Sequence, residues 1–593
     1  HRAAYLLYTF RRQLEKRGVL VVGPNATFLR YIGQVLPSLG ETSVLLATVG
    51  DLMPGVEATG AEPADVARVK GTAAMAKVIA AAVRDRQRVP GDGLQVSFES
   101  RRYRISRAAL GRARERARRS RRPHNQARQI FVREALDELA RVVAGQLGAD
   151  PLGGGNLMGR ADLQDLRAEL GDDDQVTAAI GRLWPVLTPQ QLVGDLLTSR
   201  RLLSTAARAL PDADRDRLLR APGAAWTPAD VPLLDEAAEL LGEDDRAARS
   251  AARRRREQEE AYAQGVLDII SRTDEDDPEI LMGADMLDAA RLAARQDAEL
   301  YLTPAERAAA DRTWAFGHVI VDEAQELSPM AWRTLMRRCP GKSMTIVGDV
   351  AQTGDVSGSA SWADALGPYV ADRWRLAPLT VNYRTPAEIM AVAADVLAQI
   401  DPQATPPRSV RETGTVPWAL AVSDGPAGSD GQAGLDGQAG AERLAERVAE
   451  AAVALADQTG DGTMAVIVPD GLQAELSAAV AAALPEAAGG GDRIGDGTGP
   501  DGGQPDLERP VVVLTVRQSK GLEFDSVLVV HPGLILSESP RGLGDLYVAL
   551  TRATQRAGVV YAGELPAVLR GLTGIGSADQ IAELSGPAAV PAA

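Results

Sequence analysis

The chain has few cysteines and histidines and no long apolar run, and each of these scarcities excludes a kind of protein or site. Its 593 residues include one cysteine, Cys339, which excludes a disulfide scaffold and a thiolate zinc cage. Its four histidines lie far apart in sequence and form no metal-ligand pattern. No apolar run reaches the roughly 18 residues that a transmembrane helix needs, so we expect no membrane partner.

What remains is the composition of an ordinary globular protein. A hydrophobic fraction of 45% and a charged fraction of 24% exclude a disordered chain. At roughly 150 residues per domain, the length predicts about four domains or subdomains. The net charge of −15 means that any contact with nucleic acid must be local. The first residues do not resemble a signal peptide, so we expect a cytoplasmic protein.

Strand-like apolar runs alternate with helical segments at both ends of the chain. The runs are 19–22, 43–48, 318–321, 344–347, 416–422, 464–468, 511–516 and 526–530. Between them, residues 61–221 have a mainly helical pattern. This arrangement predicts an α/β fold with parallel sheets, interrupted by a helical insertion. Two low-complexity segments, 424–440 and 489–506, are predicted to be surface loops.

Residues 101–128 hold twelve arginines against one acid, Glu115. Two interpretations stay open, a solvated helix face and a patch that contacts phosphates, with Arg118, Arg119, Arg121 and Arg122 as candidate contacts. Aromatic residues near this segment are limited to Phe98 and Tyr103, so base stacking is weakly supported.

The strongest chemical signal is an apolar strand, 318–321, that ends in two adjacent carboxylates, Asp322 and Glu323. The carboxyl end of a parallel strand is where a nucleotide hydrolase needs such groups. One carboxylate can hold Mg²⁺, and the other can orient and deprotonate an attacking water. The alternative is a strand that runs into a helix, because Asp and Glu also favour a first helical turn.

Four more motifs follow the sequence DEAQ, residues 322–325, in a fixed order. They are GDVAQ at 348–352, NYR at 382–384, TVRQSKGLEFD at 515–525 and LYVALTRA at 546–553. The series resembles the Rep/UvrD-like superfamily 1 helicases over most of residues 1–60 and 225–560. The resemblance implies an α/β fold of two RecA-like P-loop NTPase domains with mainly helical insertions, which close on ATP.

The resemblance implies a role for each motif residue on the first domain. Asp322 would bind Mg²⁺, and Glu323 would be the catalytic base. Gln325 and Gln352 would sense the γ-phosphate and couple it to the nucleic-acid side. Contacts with nucleic acid or with polymerase are implied at Pro24, Asn25 and Thr48 of this domain, and at Arg517 of the second domain.

The second domain would supply the cations. Arg384 and Arg552 would be two arginine fingers, Glu523 would meet the ribose, and Gly521 would allow close backbone approach. A guanidinium suits the charge that develops on a transferring phosphoryl group. Because these cations come from the opposite domain, hydrolysis would depend on closure. For either arginine alone, the alternative is a surface ion pair.

The sequence contains no GxxxxGK[ST] phosphate loop. The one GKS, at 341–343, has Met336 where the first glycine should stand, and it precedes a strand instead of opening a helix. The resemblance implies that the loop lies just before residue 1. We therefore expect the 593 residues to bind ATP poorly and the full-length protein to hydrolyse it.

A closer resemblance is to the HelD branch, which includes the HelR type. It is carried by residues 1–25, by WTPADVPLLDEA at 226–237 and by DVSGSASW at 355–362. The large insertion that Rep/UvrD helicases carry between NYR and KGLEF is missing, whereas the insertion before DEAQ is large. HelD-type proteins are ATPases that release bacterial RNA polymerase from stalled nucleic acid, and the HelR type is associated with rifamycin tolerance.

This resemblance implies a monomer with core RNA polymerase as its partner, together with the DNA or RNA of the transcription complex. The implied segments are 1–60, 222–240 and 313–375 for the first RecA-like domain, 61–221 for a helical clamp arm, 241–312 for an insertion with an acidic loop, and 376–593 for the second RecA-like domain. Asp276 and Asp277 of the acidic loop would enter the polymerase channel. A DNA helicase that acts in repair, and an inactive fragment, remain as alternative hypotheses.

Overall fold

The computed structural model describes residues 5–6, 8–10, 14, 17–35, 44–149, 154, 156–242, 304–353, 358, 361–422, 438–484, 494–495 and 509–584. The chain divides into a first unit, residues 1–49 and 315–593, and a second unit, residues 50–314. Asp276, Asp277 and the rest of the predicted acidic loop lie outside the described residues.

The strands, in chain order, are Val19–Val22 (β1), Val44–Ala47 (β2), Leu94–Phe98 (β3), Arg101–Ile105 (β4), His318–Val321 (β5), Met344–Ile346 (β6), Val381–Asn382 (β7), Arg408–Ser409 (β8), Trp418–Ala421 (β9), Met464–Val468 (β10), Ile494–Gly495 (β11), Val511–Thr515 (β12), Phe524–Val530 (β13), Ala553–Tyr561 (β14) and Thr573–Ile575 (β15).

The described α-helices are Ala26–Val35 (α1), Ala64–Gly71 (α2), Ala74–Asp85 (α3), Arg107–Arg119 (α4), His124–Leu147 (α5), Arg160–Asp172 (α6), Asp174–Leu183 (α7), Pro189–Thr198 (α8), Arg200–Ala206 (α9), Asp212–Arg217 (α10), Val231–Leu241 (α11), Pro304–Ala310 (α12), Pro329–Arg338 (α13), Trp362–Val370 (α14), Ala387–Ile400 (α15), Gln438–Thr459 (α16), Gln473–Ala483 (α17), Val516–Ser519 (α18), Pro532–Glu538 (α19) and Gly542–Thr551 (α20). None of them combines the length and the apolarity that crossing a bilayer requires.

The first unit contains a four-stranded parallel sheet in the order β2-β1-β5-β6. Its central strands β1 and β5 are buried along their whole length. Such strands are covered on both faces, which is why they read as continuous apolar runs. The predicted strands at 19–22, 43–48, 318–321 and 344–347 are therefore confirmed.

A second sheet of the same unit has seven strands in the order β11-β12-β10-β13-β14-β9-β15, and every described pair is parallel. Helices α15 and α20 contribute to the core on one face, and α16 and α17 contribute to the core on the other. The predicted α/β fold with parallel sheets is thus confirmed. The assignment of two RecA-like domains, and the division into six segments, stay predictions.

Two sequence predictions need correction in this sheet. The segment 424–440, predicted to be a loop, ends in Gln438–Gly440, which belong to α16. The segment 489–506 contains β11, which pairs with β12. The small and polar residues of these segments give no local sign of a helix or a strand. Pairing with β12 stabilises β11, and packing on the sheet stabilises α16. The other residues of 424–437 and of 489–506 lie outside the described residues.

The second unit is mainly helical, with one antiparallel hairpin formed by β3 and β4. Glu99 and Ser100 turn the hairpin with φ of 46° and 64°, the left-handed conformation that two-residue hairpin turns need. The hairpin packs on α5 and α7 around a core that includes Phe131 and Trp184. The same core buries Phe98 and Tyr103, so neither ring is available to stack on a base.

A buried ion cluster holds the end of this unit to its beginning. Lys70 Nζ lies 2.5 Å from Oε2 of Glu62 and 2.7 Å from Oδ1 of Asp230. Asp230 also receives Nη1 of Arg220 at 2.8 Å, and the Arg220 guanidinium stacks on the Trp226 ring at 4.4 Å. Much of the WTPADVP sequence therefore serves to build this cluster.

Candidate functional site

The strand ends of the first sheet bring several predicted residues to one edge. Val22 pairs with both Ala47 and Val321, so the residues that follow β1, β2 and β5 lie side by side. These following residues include Pro24, Thr48 and Asp322. The backbone N–H of Asp322 donates to the carbonyl of Val22 at 2.9 Å. The edge is the position where parallel sheets hold their ligands.

Glu323 occupies a strained backbone position at this edge. Its φ of 50° and ψ of 41° lie in the left-handed region, which non-glycine residues adopt at a cost of about 1–3 kcal/mol. Gln325 Nε2 donates to Oε2 of Glu323 at 2.7 Å, and Gln325 Oε1 accepts from the N–H of Asp349 at 3.1 Å. The buried Gln325 therefore orients the carboxylate of Glu323 and ties it to the GDVAQ turn.

A glycine is needed where these groups meet. A Cβ at Gly348 would lie 2.3 Å from Oε1 of Gln325 and 3.1 Å from the backbone nitrogen of Ala324. Any larger residue would therefore displace the glutamine. The GDVAQ turn itself is held by Asp349, whose Oδ2 accepts from Nε2 of Gln352 at 3.0 Å.

The two adjacent carboxylates fit a hard divalent cation. Burial raises the pKa of Asp322, the charge of Glu323 raises it further, and Arg384 lowers it. A divalent cation would relieve this repulsion. The described residues hold no group of three or more His, Cys, Asp or Glu that could form a metal cage. Mg²⁺ at Asp322 would therefore take its other oxygens from phosphates and water, as it commonly does.

Arg552 reaches the same region from the end of α20. Its side chain is 3% exposed, and its Nη2 donates to Oε1 of Gln352 at 3.2 Å. Its other nitrogens donate to the carbonyls of Val548 and Leu522 at 3.2 and 3.3 Å. Burial lowers the pKa of Arg552, and the negative charge of Glu323 opposes that effect. Arg552 is thus a buried, oriented cation and not a surface ion pair.

Arg384 approaches from the NYR turn. Asn382 Oδ1 accepts from the backbone N–H groups of Arg384 and Thr385 at 2.9 and 3.1 Å, which fixes the turn. The half-exposed Arg384 side chain forms an ion pair with Glu523. Both residues were predicted to contact nucleotide, one at the phosphates and one at the ribose, and these roles stay predictions. The structure shows that the two side chains pair with each other.

Lys520 is a contact that the sequence reasoning missed. Its Nζ lies 2.9 Å from Oε1 of Glu326 and 3.9 Å from Oδ1 of Asp545, and so joins the segment after β5 to the helix α20. Burial raises the pKa of Asp545, and Lys520 opposes the shift. Lys520 could have been noticed, because it is one of five lysines and lies inside the KGLEF motif.

The KGLEF turn also packs against the start of α1. Gly521 has a φ of +80°, and a Cβ there would lie 2.8 Å from the ring of Phe28. Asn25 caps α1 by accepting from the N–H of Phe28 at 2.8 Å, and its Nδ2 donates to the carbonyl of Lys520 at 3.5 Å. Gly521 thus lets the KGLEF turn lie close to the ring of Phe28, and its predicted role at the nucleotide stays a prediction. Arg517 lies exposed on α18.

The predicted contacts in the basic segment 101–128 differ in their surroundings. Arg118 donates to Oε1 of Gln87 at 2.6 Å and to the carbonyl of Arg84 at 3.4 Å. Arg119 pairs with Glu115 at 3.2 Å. Arg121 and Arg122 are exposed and form no ion pair with the described residues.

The GKS sequence at 341–343 opens no helix, because the strand β6 follows it. Its Lys342 donates to the carbonyl of Met336 at the end of α13.

Residues 510–560 match the family described as UvrD-like helicase C-terminal domain. The crystal structure of the C-terminal domain of a possible DNA helicase from Lactobacillus plantarum WCFS1 is 18% identical, with a TM-score of 0.21, and the match covers 32% of this chain and 98% of that chain. No curated protein matches the chain. The family match includes Lys520, Gly521, Glu523 and Arg552, so this part of the site carries UvrD-like helicase sequence.

Proposed function

We propose that the protein is a superfamily 1 helicase-type motor that hydrolyses ATP at the carboxyl edge of the first sheet. The observation that carries this proposal is that carboxylates and guanidinium groups from distant parts of the chain lie near one another. The carboxylates Asp322 and Glu323 follow β5, and they lie within electrostatic range of Arg384 and Arg552, which follow β7 and α20. Carboxylates on one side and guanidinium groups on the other are the parts that phosphoryl transfer needs.

Each residue has a task that its geometry allows. Glu323, held by Gln325, would orient the attacking water and accept its proton. Arg384 and Arg552 would neutralise charge on the phosphoryl oxygens in the transition state. Asp322 would hold Mg²⁺, which, when bound, supplies positive charge beside the phosphates. The strained backbone of Glu323 keeps its carboxylate at a set position before the reaction begins.

Both arginines have protein partners that a nucleotide would have to replace or share. Arg384 is paired with Glu523, and Arg552 with Gln352. A γ-phosphate that drew Arg552 towards it would release Gln352, whose amide also contacts Asp349 of the GDVAQ turn. This chain of contacts is the route by which we propose that hydrolysis is coupled to movement of the turn.

The test is Glu323→Gln in the full-length protein. Phosphate release should be abolished while ATP binding is retained, because the amide keeps the shape of the side chain but cannot accept the proton. Glu564→Gln, at an exposed glutamate away from the motifs, is the control and should hydrolyse ATP at the unchanged rate. Hydrolysis by Glu323→Gln at the rate of the original protein would contradict the assignment.

For the partner, we propose bacterial core RNA polymerase, with the motor removing it from stalled DNA or RNA or protecting it from rifamycins. Support comes from the resemblance of residues 226–237 to the HelD branch and from the position of the second unit, which the chain inserts between β2 and β5. The alternative is a DNA helicase in repair. In a pull-down with the full-length protein that offers both core polymerase and DNA, retention of polymerase supports the first, and retention of DNA with no polymerase supports the second.

A further inference from the structure

The β3–β4 hairpin has two faces of opposite character. Its inner face is part of the core of the second unit and consists of Val96, Phe98, Tyr103 and Ile105. Its outer face is exposed and consists of Gln95, Ser97, Arg102 and Arg104. On this outer face Gln95 stands opposite Arg104, and Ser97 stands opposite Arg102. The outer face therefore presents only cationic and hydrogen-bonding side chains.

Two arginines of the following helix α4 differ from those of the hairpin in their partners. On α4, Arg112 approaches Glu138 at 3.8 Å and Arg116 approaches Glu134 at 3.3 Å, so their charges are partly balanced within the unit. On the outer face of the hairpin, Arg102 forms no ion pair with any described residue.

The rest of the hairpin leaves this charge unbalanced. Arg104 donates its Nε to the backbone carbonyl of Asp92 at 2.7 Å, which leaves its charge without a carboxylate partner. The nearest acids in sequence, Asp92 and Glu99, lie in turns outside the strands. The outer face thus carries unbalanced positive charge in a protein whose net charge is −15.

We propose that the outer face of the hairpin binds duplex DNA by lying along the major groove. The groove is roughly 12 Å wide and admits a two-stranded ribbon, whose strands are about 4.8 Å apart. In the described part of the chain this sheet has two strands, so no third described strand blocks its approach. Arginine and glutamine are also the side chains that hydrogen-bond to guanine and adenine edges in that groove.

Other partners fit the outer face less well. Single-stranded nucleic acid is held by stacking on aromatic rings, but Phe98 and Tyr103 are buried on the inner face. Protein interfaces are anchored by Trp, Tyr and Arg packed in desolvated pockets, and the outer face has arginines but no aromatic or apolar side chain to pack around them. Duplex RNA has a deep, narrow major groove that side chains cannot enter. Duplex DNA is the partner for which charge, width and side-chain type all agree.

The test compares two pairs of substitutions in the 593-residue chain, without nucleotide. Binding of a fluorescent DNA duplex is measured by anisotropy over a range of salt concentrations. Arg102→Gln with Arg104→Gln should weaken binding by about tenfold or more at low salt and reduce the salt slope by about 2. Arg112→Gln with Arg116→Gln removes the same charge from α4 and should change the affinity less than about twofold.

Single-stranded DNA and duplex RNA of matched length complete the experiment, and both should bind more weakly than the DNA duplex. Circular dichroism checks that each variant is folded, which is expected because Arg102 and Arg104 are exposed. Equal losses for the two pairs, or no measurable duplex binding by the unchanged chain, would overturn the proposal. So would single-strand or RNA binding as tight as duplex binding. None of these results bears on hydrolysis at Glu323, because no nucleotide is used.

Discussion

Nη2 of Arg552 donates to Oε1 of Gln352 across 3.2 Å, which joins the end of α20 to the turn that follows β6. The two residues are 200 positions apart in sequence. One belongs to the motif predicted to supply a cation, and the other to the motif predicted to sense phosphate. Their contact links the two sheets of the first unit, so a nucleotide phosphate that moved Arg552 would also move Gln352.

Replacing Arg384 should slow hydrolysis without disturbing the fold. In the full-length protein, Arg384→Ala should lower the rate of ATP hydrolysis by about 10³–10⁵, the typical contribution of an arginine finger. The exposed Arg375, changed to alanine, is the control and should leave the rate unchanged. Arg384 is the cleaner position to test, because Arg552→Ala would also leave buried carbonyls without their donor. An unchanged rate for Arg384→Ala would mean that the arginine only pairs with Glu523.

Gly348→Ala should displace Gln325 from Glu323. The added methyl group would lie 2.3 Å from Oε1 of Gln325, so the glutamine must move and the contact with Asp349 must break. We expect a loss of about 1–3 kcal/mol in the free energy of unfolding and a reduced hydrolysis rate in the full-length protein. Gly341→Ala is the matched control, because a Cβ there meets nothing within 4 Å. Similar behaviour of the two variants would show that the clash is relieved without consequence.

Lys70→Met should destabilise the second unit. The side chain of Lys70 is 2% exposed, and its removal leaves the carboxylates of Glu62 and Asp230 buried with one cation fewer. The loss should be roughly 3–5 kcal/mol in the free energy of unfolding, measured by hydrogen exchange of the amides in α2 and α11. Lys77→Met, on the exposed side of α3, should change it by less than about 0.5 kcal/mol. A small effect at Lys70 would show that the cluster relaxes or admits water.

The second unit should lose stability in acid through His124. Burial lowers the pKa of this histidine to about 4, from an ordinary value of 6.5. Its Nε2 faces the carbonyl of Pro185 at 2.8 Å and its Nδ1 faces Nε2 of Gln87 at 3.3 Å. Arg118 donates to Oε1 of Gln87 and so fixes the amide, which makes Nδ1 of His124 an acceptor. The neutral ring is therefore the form that fits.

The unfolded chain takes up this proton at a higher pH than the folded chain. The stability contributed by neutral His124 is thus complete above about pH 6.5 and is lost as the pH falls towards 4, by about 3 kcal/mol in all. Hydrogen exchange of α5 between those values should show a steeper loss in the original chain than in His124→Gln. Parallel pH profiles for the two proteins would contradict the prediction.

Local patterns were sufficient to identify most of the framework. The apolar runs that predicted β1, β5, β10 and β12 are buried strands, because a strand covered on both faces must be apolar along its length. The hairpin β3–β4 and the nine-residue strand β14 were not predicted. Polar residues interrupt β14, and the arginines of β4 read as part of a helical, charged segment. Neighbouring strands and helices decide those elements, so a local reading could not find them.

The order and chemistry of the motifs are properties of the sequence by itself, and they were enough to name Asp322, Glu323, Arg384 and Arg552 as one group. Only the tertiary structure decided how these residues are paired: Arg384 with Glu523, Arg552 with Gln352, and Lys520 with Glu326. It also decided which arginines of 101–128 are balanced by acids and which are not. The reason is physical, since such contacts join residues far apart in the chain, and sheet order and helix packing set their distances.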